Sequence, residues 1–225
     1  MKKNKLDIFI PVGGLGKRLG AITKKTPKPL IKINNEPFII KLIKSFKGLN
    51  YDNLYLLTNY KDKSFFFLKN YSKNIIFIKD KKREGTFKSL YNCKKYIRND
   101  FIYSNSDEIL DINIRNILKI FKKKKVDILQ LFFRDNLGKK LEKKFIINKK
   151  KFNASHNYTE AGLKIFKKKI FLKIKLTHYK KIEEFIDYNL KNLNVMYLIV
   201  DNKPYSIDTW KRLKRTKDFL KKIKL

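Results

Sequence analysis

The sequence predicts an α/β fold built on a mostly parallel sheet covered on both faces by helices. Three observations lead there. Short apolar runs rich in Ile, Leu, Phe and Val alternate along the chain with segments of helical spacing. The first such run leads directly into a glycine-dense turn. A second strand-like run ends in a polar, acidic tip. Strand–helix alternation favours parallel pairing, because each crossover helix returns the chain to the end of the sheet where the previous strand began. Ligands of such sheets bind at the carboxyl ends of the strands.

The elements follow in order. LDIFIPV (6–12) is a buried strand, and the glycine loop follows it. Asn34-Asn35 marks a turn ahead of FIIKLIKSF (38–46), which has helical spacing. NLYLLT (53–58) is a strand, KSFFFLKNY (63–71) a helix and NIIFIK (74–79) a strand. Residues 86–98 are helical in pattern, and FIYSNSD (101–107) is the strand with the acidic tip. INIRNILKIF (112–121) is a helix and VDILQLFF (126–133) a strand. Strands are expected at AGLKIF (161–166) and VMYLIV (195–200), and helices at 182–193 and 209–223. Neither linkers nor repeats interrupt this run, and 225 residues fit one domain spanning 1–225.

Composition bounds the function. Hydrophobic residues are 43% and aromatics 14%, which is enough for a packed core. No apolar run approaches the roughly 18 residues of a membrane span. The basic N-terminus is broken by Asp7, Pro11 and Gly13, so it does not read as a signal peptide. A single Cys, Cys93, allows no intramolecular disulfide and is expected to be a buried small apolar residue. A cytoplasmic protein without a membrane partner is expected. The formal net charge of +36 comes mostly from Lys, since only seven of the 56 basic residues are Arg. The lysines are scattered over the chain rather than clustered, so a nucleic-acid partner is not expected, although anionic ligands will be attracted.

The stretch PVGGLGKRLGAITKKTPKPL (11–30) holds four of the 8 Gly and three of the 5 Pro. It is also basic and lacks any acid. Glycine lets backbone N–H groups approach a bound anion closely. A Walker A loop is ruled out: Gly16-Lys17 is followed by Arg18 rather than Ser or Thr, and Pro11 stands where the first Gly belongs. A dinucleotide fingerprint fits poorly, because Gly20 falls one residue too far and Pro27 and Pro29 break the crossover helix. A loop for a nucleoside triphosphate remains. In it Arg18 offers a planar fork to phosphate oxygens, and Lys28, held between two prolines, presents a point charge.

G-G-L-G-K-R-L followed by P-K-P-L closely resembles the signature of the sugar-phosphate nucleotidyltransferases. Further motifs follow in the same order along nearly the whole chain. INNEPF (33–38) is most similar to the heptose 1-phosphate guanylyltransferase branch, near which the mannose 1-phosphate enzymes also stand. Gly85-Thr86 resembles the start of the family's base-reading G-T-G-G-A, whose next two glycines are Phe87 and Lys88 here. Asn105-Ser106-Asp107 resembles N-G-D, Glu160-Ala161-Gly162-Leu163 resembles the sugar-contact strand N-A-G-I, and Tyr205-Ser206-Ile207-Asp208-Thr209 resembles F-I-D-I-G.

The resemblance implies a three-layer Rossmann-like fold with a mixed, mostly parallel sheet, of the nucleotide-diphospho-sugar transferase type. It implies that a nucleoside triphosphate, GTP first among them, is joined to a sugar 1-phosphate with release of pyrophosphate, for surface polysaccharide precursors. Nucleotide contacts are expected at Val12, Gly13, Gly14, Leu15, Gly16, Lys17, Gly85, Thr86 and Ser106. Catalytic charge is expected at Arg18 and Lys28, sugar contacts at Glu160, Ala161 and Gly162, and Mg²⁺ ligands at Asp107 and Asp208. The family's sugar-contacting Glu-Lys pair has no match in 134–160, where His156 and Asn157 are the nearest polar candidates. Trp210 is expected to pack its helix. Two readings stay open: a cytidylyltransferase acting on a small phosphorylated alcohol, amine or sugar, and a nucleotide- or nucleic-acid-binding protein without turnover. Oligomeric state is not legible.

Overall fold

The computed structural model describes residues 5–14, 16–59, 61–80, 84–174 and 178–222. Strand β1 (Asp7–Pro11) opens the chain, followed by a 3-10 turn at Lys17–Leu19, helix α1 (Ala21–Lys25) and a second 3-10 turn at Lys28–Leu30. A hairpin of β2 (Lys32–Ile33) and β3 (Glu36–Pro37) leads to α2 (Phe38–Ser45) and β4 (Leu54–Thr58). Next come a 3-10 helix at Asp62–Asn70, β5 (Ile75–Lys79), α3 (Thr86–Asn92), β6 (Phe101–Ser104), β7 (Glu108–Ile109) and α4 (Ile114–Lys124). The C-terminal half carries β8 (Ile128–Lys139), β9 (Tyr158–Phe166), α5 (Lys168–Lys173), α6 (Ile182–Tyr188), β10 (Val195–Val200), β11 (Tyr205–Ser206) and α7 (Trp210–Lys222).

Among the described residues seven strands form one sheet, in the order β10-β8-β9-β6-β1-β4-β5. Pairing is parallel except at β9, which runs antiparallel to both β6 and β8. The sheet is thus mixed and mostly parallel, as the alternation predicts. Successive residues on each strand face opposite sides, and each side has its own core. Ile8, Ile10, Leu54 and Leu56 pack with α2, α4 and α7 on one face. Phe9, Tyr55, Leu57 and Phe101 pack with α3, α5 and α6 on the other. Three layers result.

Local sequence explains most elements. Asn34 and Asn35 both have positive φ, 52° and 65°. A two-residue hairpin turn demands that conformation, and Asn tolerates it. The segment around 63–71 is a 3-10 helix rather than an α-helix. It buries Phe65 and Leu68, three residues apart, which suits three residues per turn. The expected helix at 182–193 stops at Tyr188. Cys93 is buried as expected, and burial pushes its thiol up to about 12. Trp210 departs from expectation. It is 58% exposed at the start of α7, because Leu213, Thr216 and Leu220 turn inward instead. No described helix is long and apolar enough to cross a membrane.

Candidate nucleotidyl transfer site

Two cavities open at the carboxyl ends of the strands. The first, about 580 Å³, is walled by Gly13, Gly14, Gly16, Lys17, Lys28 and Asp107 at one end and by Asp80, Gly85, Thr86 and Ser89 at the other. Ser106 also lines it. The loop after β1 shapes this cavity. A Cβ on Gly13 would meet the Asn59 Cβ at 2.7 Å, so close packing on the end of β4 requires glycine there. Gly16 has φ 61° and directs its carbonyl to the Thr23 hydroxyl, which donates at 3.0 Å and ties the loop to α1. Gly14 is different. A Cβ there would meet nothing within 4 Å, its φ is not positive, and it is exposed at the cavity wall. The fold does not demand that glycine.

The residues expected on this wall divide. Val12 is fully buried in the core, and its N–H donates to the Leu57 carbonyl at 2.9 Å, so neither group faces the cavity. That placement corrects the expectation for Val12. β-strand alternation continues one residue past β1 and turns Val12 inward. Leu15 lies outside the described residues. Arg18 does not line the cavity; its side chain, 71% exposed, reaches Asp208 instead.

Asp107 and Asp208 come from distant parts of the chain and are joined by a small ribbon. β7 and β11 pair antiparallel with Glu108 opposite Ser206. The Ile207 N–H donates to the Asp107 carbonyl at 3.0 Å, which sets Asp208 next to that strand. Lys28, reaching in from the proline-bounded turn, donates to the Asp107 carboxylate. Arg18 lies 3.0 Å from the Asp208 carboxylate, and Arg212 lies 3.2 Å from it. The Ser206 hydroxyl donates to the same carboxylate at 2.8 Å. Burial opposes ionisation of Asp208. The Ser206 hydrogen bond and the charges of Arg212, Lys28 and Arg18 outweigh it and hold the carboxyl below its ordinary value.

These two carboxylates supply oxygen donors, which suit a hard cation such as Mg²⁺. Among the described residues no group of three or more His, Cys, Asp or Glu side chains gathers for a metal. A Mg²⁺ held by Asp107 and Asp208 would complete its shell from phosphates and water, its usual arrangement. The residues fit that ion.

The second cavity, about 730 Å³, lies across the ribbon and is lined by Glu108, Thr159, Glu160, Lys203, Ser206 and Arg212, among others. Glu160 pairs with Lys164 at 2.6 Å, and Lys164 also pairs with Glu183 of α6 at 2.8 Å. Burial works against the Lys164 ammonium, but Glu160 and Glu183 outweigh it and raise its pKa. Glu108 is pushed up to about 8, first by burial and then by the neighbouring charges of Asp107 and Glu160. Ala161 packs into the core, and Gly162, with φ 66°, passes directly under the Glu108 carboxyl. His156 and Asn157 line neither cavity. Sequence reasoning missed Lys164, Glu183, Asp80 and Arg212. The Glu160–Lys164 spacing spans two strand repeats on one face, a legible signal once the strand is extended back to Tyr158.

A family model described as nucleotidyl transferase matches residues 9–220. The chain belongs to this family. Its relatives include the bifunctional protein GlmU of Methanocaldococcus jannaschii, 30% identical over 203 residues, covering 88% of this chain and 48% of that protein. The chain spans about half the length of the GlmU relatives it matches. The D-glycero-alpha-D-manno-heptose 1-phosphate guanylyltransferase of Campylobacter jejuni is 26% identical over 212 residues and matches nearly end to end, over 90% of this chain and 94% of that one. Among solved structures, a putative glucose-1-phosphate thymidylyltransferase from Bacillus anthracis superposes with a TM-score of 0.83 at 20% identity, covering 98% of this chain and 97% of that one. The nucleotidyl transferase motifs and their order, legible in the sequence, thus correspond to the family's fold.

Proposed function

We propose that this nucleotidyl transferase joins GTP to a heptose or hexose 1-phosphate and releases pyrophosphate, with Mg²⁺ held by Asp107 and Asp208. One observation carries the reading: the β7–β11 ribbon sets two carboxylates, each capped by a basic side chain, between the glycine-loop cavity and a second polar cavity. That arrangement fits two phosphorylated substrates meeting at one point. The full-length likeness to a heptose 1-phosphate guanylyltransferase supports the choice of GTP and sugar phosphate.

The chemistry is an in-line displacement. An oxygen of the sugar phosphate forms a bond to the α-phosphorus, the bond from that phosphorus to the β-phosphate oxygen breaks, and pyrophosphate leaves with its electron pair. The attacking oxygen is already anionic, so no general base is needed, and catalysis is positioning plus charge neutralisation. When bound, Mg²⁺ supplies positive charge at the triphosphate and at the incoming phosphate. The backbone at Gly13, Gly14 and Gly16 admits the phosphates closely. Lys28 neutralises charge beside Asp107, and Arg18 and Arg212 do so beside Asp208. Lys17 at the cavity wall adds a further phosphate contact. Glu160 and Glu108 face the second cavity, where carboxyl oxygens suit sugar hydroxyls.

Mass spectrometry of a reaction containing GTP, Mg²⁺ and a panel of heptose and hexose 1-phosphates tests this. A GDP-sugar with matching pyrophosphate is expected. A nucleotide linked instead to a phosphorylated alcohol would place the chain on the cytidylyltransferase side of the family.

A further inference from the structure

Six large hydrophobic side chains are exposed among the described residues, and three of them stand close together: Phe66 at 48%, Phe67 at 38% and Tyr71 at 55%. A lone exposed apolar residue is ordinary, whereas a cluster marks an interaction surface. Phe66 and Phe67 lie on the 3-10 helix at Asp62–Asn70, and Tyr71 ends it. Phe65 and Leu68 of the same helix are buried and hold it to the core. Consecutive residues on a helix of three per turn point about 120° apart, so Phe66 and Phe67 form a ridge rather than a pocket. Phe66 meets Phe77 of β5 edge-on, with 5.3 Å between ring centroids, and Phe67 meets Tyr71 at 6.2 Å. Since β5 is the last strand of the sheet, this ridge runs along the sheet's edge.

The charge around the rings has one sign. Residues 61–79 hold five lysines, Lys61, Lys63, Lys69, Lys73 and Lys79, and one acid, Asp62. Asp62 is itself paired with Lys79 at 3.1 Å. Lys63, Lys69 and Lys73 are exposed, and the Lys69 ammonium stands 5.9 Å from the centre of the Phe77 ring. A matching occupant offers negative charge outside an apolar layer. An anionic bilayer does so: lipid phosphates meet the ammonium groups while the rings sit at headgroup level. A second copy of the chain does not, because each carries a formal +36 and the same lysines would face one another. The lysines are scattered over the chain, so net charge alone brings any face to an anionic surface. The rings select the face that docks.

We propose that the 3-10 helix at Asp62–Asn70, with Tyr71 and Phe77, docks the protein on an anionic lipid surface. Its rings enter the headgroup layer, and Lys63, Lys69 and Lys73 meet lipid phosphates. No described helix is long and apolar enough to cross a membrane, so the contact is peripheral. The absence of apolar spans, from which the sequence predicts no membrane partner, does not bear on a contact of this kind. Docking leaves the second cavity clear, since β9, which helps to line it, stands four strand spacings from β5, about 19 Å. It neither requires nor supplies nucleotidyl transfer.

Flotation of the full chain with vesicles tests this, with equal parts phosphatidylcholine and phosphatidylglycerol set against phosphatidylcholine alone. Binding to the anionic vesicles is expected near physiological salt. It should weaken as added salt shortens the Debye length from about 8 Å to about 3 Å. Burying one exposed ring corresponds to roughly 10-fold in partitioning. Phe66→Ser/Phe67→Ser leaves the net charge unchanged and should weaken binding about 100-fold. Both rings are exposed, so its melting temperature should stay close to the parent's. Tyr71→Ser is a separate arm and should weaken binding about 10-fold. Tyr188→Ser removes a ring 75% exposed on α6 and should bind as the parent does. Absence of binding to the anionic vesicles overturns the proposal. So does a double variant that binds as tightly as the parent, since charge alone then holds the protein there. If neither protein floats, and the parent sediments as a dimer but the double variant as a monomer, the face belongs to a second copy and the proposal also fails.

Discussion

Lys28 and Asp107, 79 residues apart in sequence, form an ion pair where the glycine loop meets the end of β6. Both side chains are mostly enclosed, at 12% and 23% exposure, so neither charge is well solvated. The pair anchors the loop to the strand that carries the second half of the site.

Lys28→Met removes the cation while retaining most of the stem. If Lys28 neutralises phosphate charge in the transition state, kcat should fall about 100- to 1,000-fold, the typical loss of one preorganised donor. Steady-state kinetics measures this. A change in KM alone would mean that Lys28 only holds the ground state.

Gly14→Ala and Gly13→Ala should separate binding from folding. Gly14 has open space where a Cβ would go. Gly14→Ala should therefore keep the melting temperature or raise stability by about 0.5 kcal/mol, through a less flexible unfolded chain. The same variant should weaken GTP at least about 10-fold, by holding the backbone off the phosphates. Gly13→Ala drives a Cβ against Asn59. It should destabilise the fold by about 1–3 kcal/mol, the usual cost of overpacking. Thermal melts paired with calorimetry check both. Unimpaired GTP binding in Gly14→Ala would mean the loop backbone does not approach the nucleotide.

Lys164 lies at 0% exposure between Glu160 and Glu183. Lys164→Met leaves the mostly enclosed Glu160 carboxylate, 18% exposed, without its cation, while Glu183, 38% exposed, stays partly solvated, so the cost in urea unfolding should be about 3 kcal/mol, the lower end for a broken buried pair. Adding Glu160→Gln should recover part of that loss. A single variant as stable as the parent would show that the glutamates are solvated.

Glu108 gives a pH signature. Its folded pKa, about 8, lies above the ordinary value of 4.5. The contribution of a raised carboxyl is fully present below pH 4.5 and is lost as pH rises toward about 8. Glu108→Gln lacks that penalty, so its melting temperature should gain on the parent between about pH 5 and about pH 8 and hold its lead above. A constant difference across that range would place Glu108 in a solvated setting.

Much of this was legible in the sequence for a physical reason. The strands are buried on both faces, so they read as continuous apolar runs. The glycine loop is visible because a chain with 8 Gly places four of them in one turn. The meeting of Asp107 and Asp208 was implied only by the resemblance, since β7 and β11 are two residues each and too short to show a period. Asp80 and Glu183 were invisible because tertiary contacts alone select them: one acid among 20 has no local mark. Val12 was misplaced because a loop motif says which residues are near a ligand, while strand alternation decides which way each points.

The central claim is tested most directly by pyrophosphate release, measured for the four common nucleoside triphosphates against heptose and hexose 1-phosphates, with and without Mg²⁺. The account predicts release with GTP and one sugar phosphate, dependent on Mg²⁺ and lost in a folded Asp107→Ala variant. Release from no pair, or full activity in Asp107→Ala, would contradict it.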